Sequence, residues 1–379
     1  LPWGEGGERS DPDEGKNACD SMGLESFLGN PEAVSVLREM LARGAVPGAL
    51  LFSGPEGVGK KSLAVMAAKA MNCERLRDDF CQECARCRRA DEMLAEARDD
   101  LTRRREMKDA TRRVEGLVYF DLQVVEPLTH FILTEQIRQA RNVAYTRPFE
   151  FRRRIFILDQ AQAIHWQAVD LLLKIMEEPP PTTTFILVCP NPYELRVTLR
   201  SRCLKIGLRP VEKHIVQRVL RDERQVPAAQ LELATRAVAG SIQAAKSFNL
   251  AEFERLRSPW VAFLDGVATK DARRMAPADW RALFEATKAL SDDRDALEGS
   301  LKRGYTLLSD ILQVLETHRE EQVVNLDLFP RLRGWAAKLG LGGIEKMKQG
   351  LDDARRLQVR NVNQQLGWEA LAAGLLAGH

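Results

Sequence analysis

No run of 18 apolar residues occurs in this chain of 379 residues, so the sequence offers no candidate membrane-spanning helix. A basic-then-apolar secretory start is lacking as well. The expectation is a soluble, cytoplasmic protein with no membrane partner. An excess of one charge is also missing. Lys and Arg number 56 against 54 Asp and Glu, and the resulting net charge of +2 does not by itself mark a nucleic-acid binder. No internal repeat is evident. What remains is ordinary for a globular protein: 45% hydrophobic and 29% charged residues, at a length that suits two or three domains with a large core.

One stretch organises the rest. Ala49-Leu50-Leu51-Phe52-Ser53 reads as a buried strand, Gly54-Pro55-Glu56-Gly57-Val58-Gly59 as a Gly-rich turn, and the Ala/Met/Leu-rich segment from Leu63 to Met71 as a helix. Strand, turn and helix in that order are the setting of a phosphate-binding loop. Backbone N–H groups converge, the helix N-terminus adds partial positive charge, and Lys60 reaches for phosphate. The match to G-x-x-x-x-G-K-[ST] fails at its last position, where Lys61 replaces the hydroxyl that holds Mg²⁺. Ser62 lies about 100° further round the helix and does not substitute for it. Gly54, Gly57, Gly59 and Lys60 remain candidates for bare nucleotide contact. The structural alternative is a strand-to-helix turn that holds no ligand.

The cysteines are Cys19, Cys73, Cys81, Cys84, Cys87, Cys189 and Cys203. Four of them, Cys73-x7-Cys81-x2-Cys84-x2-Cys87, have spacing that suits one tetrahedral Zn²⁺. No His or carboxylate completes an open catalytic set there, so the site reads as structural. Residues 88–115 lack Gly and Pro and mix nine basic with eight acidic residues. The expectation is a solvated helix or helical hairpin, not a nucleic-acid patch.

Elsewhere the chain alternates strand and helix. Strands are expected at Val118–Val125, Arg154–Asp159, Thr184–Cys189 and Cys203–Ile206. Helices are expected from Asn30-Pro31 to Leu41, at Glu135–Tyr145, and at Gln167–Glu178 before Pro179-Pro180-Pro181. With the strand at Ala49 this gives a five-stranded parallel sheet covered on both faces. Asp159 falls at a strand C-terminus, where ligands bind in open α/β sheets. Beyond Pro210 the pattern is helical only, with helices at 211–224, 228–238 and 241–249. Longer ones are expected at 280–291, 296–317 and 343–356. The expected domains are an α/β domain at 22–209 with its zinc module at 73–87 and insert at 88–115, a helical lid at 210–250, and a helical collar at 251–379. Residues 1–21, Gly- and acid-rich and aperiodic, are expected to be disordered, with Met22 as a possible natural start.

Together these residues resemble AAA+ clamp-loader subunits, in particular the delta-prime type of bacterial DNA polymerase III. The resemblance runs from about Phe27 to Leu376, interrupted by the insert. It rests on Leu51 through Lys60, the four-cysteine module, Ile157-Leu158-Asp159, Leu172 through Pro180 and Ser201-Arg202-Cys203, with Arg360-Asn361-Val362-Asn363 in the collar. It implies a hetero-pentamer with delta and gamma/tau subunits that loads a sliding clamp on primed DNA. Within it, Arg202 would serve as an arginine finger acting in trans on a neighbour's ATP. Three departures argue against hydrolysis by this chain. Gln160 stands where a motor has a Glu base, Lys61 replaces the hydroxyl, and Gln243 in Gly240-Ser241-Ile242-Gln243 stands where a motor has Arg. The competing readings are an ATP-hydrolysing motor of the same machine, and a zinc-dependent nucleic-acid-binding module. No aromatic interleaves the mixed charges flanking the cysteines, so base stacking has little support.

Overall fold

The computed structural model describes residues 23–109, 111–268, 275–291, 297–357 and 364–377. The expected disordered extension 1–21 with Cys19, and the collar stretch Arg360–Asn363, lie outside the described residues. The chain divides after Val211 into two compact units.

The first unit contains α1 (Pro31–Ala42), β1 (Ala49–Ser53), α2 (Lys60–Asn72), α3 (Ala85–Glu106), β2 (Leu122–Val125) and α4 (Thr134–Ala144). Then follow β3 (Arg154–Asp159), α5 (Trp166–Glu177), β4 (Thr183–Cys189), α6 (Val197–Arg200) and β5 (Leu204–Gly207). The five strands form one parallel sheet in the order β2-β3-β4-β1-β5. Side chains alternate across a strand, so a strand covered on both faces must be apolar throughout. Leu50, Phe52, Ile155, Ile157 and Ile186 accordingly face Leu37 of α1 and Leu63 and Ala67 of α2. Leu51, Phe156, Leu158, Phe185 and Leu187 pack on the other face against Ile137 of α4 and Leu172 and Ile175 of α5. The strand polarity brings the C-terminal ends of β1 and β3 to one edge of the sheet, and this places the loop at 54–59 beside Asp159.

Two local expectations are corrected. β2 starts at Leu122, not Val118, because the preceding Asp121 is engaged sideways. Its Oδ2 accepts N–H bonds from Phe149, Glu150 and Phe151 at 2.7, 2.6 and 3.1 Å, and its Oδ1 pairs with Arg154 at 2.8 Å. The insert is not a freely solvated hairpin. α3 buries Ala90, Met93 and Ala97 on one face, and buried Arg104 donates to the carbonyls of Arg113, Glu115 and Gly116. The guanidinium thereby satisfies carbonyls of the returning segment that no strand would reach. α1 begins at Pro31 as expected, yet Asn30 does not cap it. The Asn30 side chain instead exchanges two hydrogen bonds with the backbone of Arg209, at 3.0 and 2.7 Å.

The second unit is helical: α7 (Lys213–Asp222), α8 (Ala228–Val238), α9 (Ile242–Lys246), α10 (Leu250–Ala268), α11 (Pro277–Ala289), α12 (Leu297–Thr317), α13 (Phe329–Leu357) and α14 (Gln364–Ala377). α7, α8 and α9 pack among themselves, and Arg236 of α8 donates to the carbonyls of Glu321 and Val323 beyond α12 at 2.8 and 2.7 Å. The core of the longer helices centres on Trp260, Trp335 and Trp368, with Trp260 edge-on to Trp368 at 5.1 Å. A helix expected to begin at Gly343 is the second half of α13, which kinks at Gly340 (φ 55°). Among the described residues no helix is long and apolar enough to cross a membrane.

Candidate functional site

The loop leaves β1 through Gly54 (φ 148°) and enters α2 through Gly59 (φ 95°). A Cβ at Gly54 would come within 2.2 Å of the Leu208 carbonyl oxygen, so only glycine lets the loop pass against the segment after β5. At Gly59 the positive φ, together with the Phe27 ring 2.8 Å from an added Cβ, gives the same restriction. Lys60 curls back onto the loop and donates to the carbonyls of Gly54 and Pro55 at 2.7 and 2.6 Å. Burial pushes its ammonium below the ordinary lysine range. In this state Lys60 holds the loop's shape; phosphate contact would require it to exchange those carbonyls for phosphate oxygens.

Lys61 points elsewhere. Its ammonium bonds Glu126, just past β2, and lies 3.4 Å from Asp159 Oδ2 at the end of β3. Arg105 of α3 takes the other Glu126 oxygen at 3.0 Å and donates to the Pro127 carbonyl. Burial favours a protonated Glu126, but the bonds and charges of Lys61 and Arg105 outweigh it and hold the carboxyl below its usual value. The sequence reading missed Glu126 and Arg105. A single Glu after a strand, and an Arg within a charged run, carry no local signal of their partners.

Asp159 also accepts the backbone N–H of Gln160 at 3.0 Å, and Gln160 itself is left-handed (φ 56°). An amide therefore occupies the strand end where a general base would stand, and an amide cannot take a proton from water at neutral pH. Gln243 lies on the short helix α9 of the second unit, whose N-terminus is capped by Ser241.

Arg202 stands just ahead of β5, one of the two outer strands of the sheet, just past the short helix α6. Its Nη2 pairs with Glu177 Oε1 at 2.6 Å and its Nη1 donates to the Thr198 carbonyl at 3.0 Å. About a third of its side chain is exposed. Glu177, the last residue of α5, is a second partner that the sequence reading did not single out.

The sulfurs of Cys73, Cys81, Cys84 and Cys87 all lie within 4.8 Å of one another, and Cys73 and Cys81 are 3.7 Å apart. Tetrahedral thiolates at a Zn–S length of about 2.3 Å would sit about 3.8 Å apart. Backbone N–H groups of Leu76, Cys84 and Cys87 point at the sulfurs of Cys73, Cys81 and Cys84, each at 3.4 Å, and Gln82 is left-handed (φ 57°) where the chain turns around the group. At Cys84 hydrogen bonds outweigh burial and lower the thiol to about 6, whereas burial pushes the Cys87 thiol up. The four residues can hold a metal ion, and the fold places them between the end of α2 and the first turn of α3. Cys189 and Cys203 are buried in the sheet domain, and burial pushes their thiols up to about 11 and about 12.

Residues 29–212 match the protein family described as DNA polymerase III, delta subunit. DNA polymerase III subunit tau of Salmonella typhimurium is 28% identical over 227 residues, which cover 58% of this chain and 31% of that protein. The Bacillus subtilis tau subunit is 27% identical over 230 residues, 59% of this chain and 36% of that protein. The matched region spans about a third of these relatives. A solved gamma subunit-related protein from Thermotoga maritima aligns with 91% of this chain and 99% of its own, at 12% identity and a TM-score of 0.46, too loose a match to argue from. Over residues 29–212, then, the chain carries a DNA polymerase III delta-subunit-like domain, and it is a homologue of DNA polymerase III tau subunits.

Proposed function

We propose that this chain is a delta-prime-type subunit of a bacterial DNA polymerase III clamp loader, working in the cytoplasm in a hetero-pentamer with delta and gamma/tau subunits. In this reading it is an AAA+ subunit with an α/β domain, a helical lid and a helical collar. It does not hydrolyse ATP. It supplies Arg202 to a neighbouring subunit's ATP and so helps place a sliding clamp on primed DNA. The observation that carries the reading is Arg202, a partly exposed guanidinium beside an outer strand of the sheet, bonded to Glu177 and Thr198 and not to its own loop. A planar, permanently charged fork in that position suits a γ-phosphate presented from outside. Co-expression with delta and gamma subunits should yield one stable complex containing this chain. Failure to co-purify with them would overturn the reading.

The similarity to tau subunits favours a second reading, an ATP-hydrolysing motor. Turnover by the purified chain separates the two. Wild-type turnover is expected to be negligible, and Lys61→Thr should leave it so, because Gln160 still provides no base. Magnesium-dependent turnover that Lys60→Ala abolishes would instead establish the motor.

The four cysteines are assigned to one structural Zn²⁺. Cys73, Cys81, Cys84 and Cys87 would fill all four tetrahedral positions and leave none for water. Cys84→Ser is expected to lose one Zn²⁺ per chain by elemental analysis and to expose the start of α3 to proteolysis. Protein prepared without chelator that contains no zinc would refute the assignment.

A further inference from the structure

Lys61 from α2 and Arg105 from α3 face Glu126 past β2 and Asp159 from β3, two positive against two negative. The carboxylate side chains are largely buried, at 14% and 18% exposure, so each requires a partner. Among the described residues Lys61 is the one cation ion-paired with both. It occupies the position after Lys60 from which, in a working phosphate loop, a hydroxyl reaches the metal. Its side chain is 44% exposed and borders a cavity of about 570 Å³ between α2, α3 and β2, so ions and water can reach the place. Charge opposes a hard cation here. The ammonium already neutralises the carboxylates, and it repels a divalent ion twice as strongly as a monovalent one.

We propose that Lys61 is a tethered replacement for the divalent cation: it fills the metal position between Glu126 and Asp159, so that Mg²⁺ neither binds there nor affects phosphate at the loop. The inference does not depend on membership of a clamp loader. A chain that joins no complex would still behave this way, and a chain that joins one could still fail the test below.

The test is Mn²⁺ binding, followed by electron paramagnetic resonance on the full chain with its cysteine site saturated by Zn²⁺. Wild type should bind Mn²⁺ no more tightly than Lys61→Met/Glu126→Gln does. Lys61→Met keeps the aliphatic stem but removes the charge, and should gain one Mn²⁺ site at least tenfold tighter than wild type. Mg²⁺ should compete for that site, and adding Glu126→Gln or Asp159→Asn should abolish it. A folded Lys61→Met with no gain overturns the proposal, as does a wild-type Mn²⁺ site that Glu126→Gln removes. Should Lys61→Met not fold, the melting temperature of wild type in pyrophosphate decides. Equal values with and without added Mg²⁺, the Zn²⁺ being kept constant and no EDTA present, support the proposal, and a rise with Mg²⁺ overturns it.

Discussion

In the proposed role, a clamp loader assembled with the Arg202→Ala chain should lose about 10³–10⁵ in hydrolysis rate at the ATP site next to this subunit, the range such fingers supply. Total turnover should fall by less, because the remaining sites keep their own fingers. The chain itself should fold and assemble normally. The Arg202–Glu177 pair is half-exposed on the Glu177 side, and an exposed pair of this kind contributes about 0–1 kcal/mol. Arg202→Lys should recover only part of the rate, since a lysine brings the charge without the planar two-pronged donor. The measurement is DNA- and clamp-stimulated ATPase with clamp loading on primed DNA. Full rates in both with Arg202→Ala would leave Arg202 as a residue that merely ties the end of α5 to α6.

The largest stability effect is expected at Asp121. Its side chain is 2% exposed and its partner Arg154 5% exposed, and three backbone N–H groups converge on the same carboxylate. Truncation to Ala strands a buried guanidinium, at a cost of about 3–5 kcal/mol. It also leaves three amide donors unpaired, each worth about 1–3 kcal/mol where water cannot replace the acceptor. Against a total stability of about 5–15 kcal/mol, Asp121→Ala should not give a folded first unit at 25 °C. Asp121→Asn keeps an acceptor for the amides and should fold with a lowered denaturant midpoint. If Asp121→Ala unfolds within 1 kcal/mol of wild type, the cluster is not what fixes the start of β2.

The elements carried by local pattern were legible in the sequence. Ala49–Ser53 and Arg154–Asp159 are apolar because both faces of the sheet are covered, and Pro31 marks the first turn of α1. The cysteine spacing anticipated the cluster, because two-residue gaps can bend round one point. What escaped was decided by partners distant in sequence. Asp121 ends the expected early start of β2 through residues 149–154, and Arg104 and Arg105 are held by carbonyls and a carboxylate on the return segment. Even so, the Ala90, Met93 and Ala97 spacing on α3 held a buried face that the surrounding charges obscured. At the loop, Lys61 could be read as hostile to metal, but not where it would place its charge. Glu126 carries no mark of its partners in the sequence.

The strand order also bears on how the protein is made. β1 lies between β4 and β5, and Ala49 pairs with Phe185, so the first strand to leave the ribosome has no neighbour until the fourth is complete. At about 5–20 residues per second this delay lasts roughly 7–27 s. For that time Leu50, Leu51 and Phe52, fully buried in the finished sheet, have no sheet partner and need shelter from other nascent chains. Synonymous changes that slow translation between β1 and β4 should therefore lower the soluble yield without altering one residue of the product.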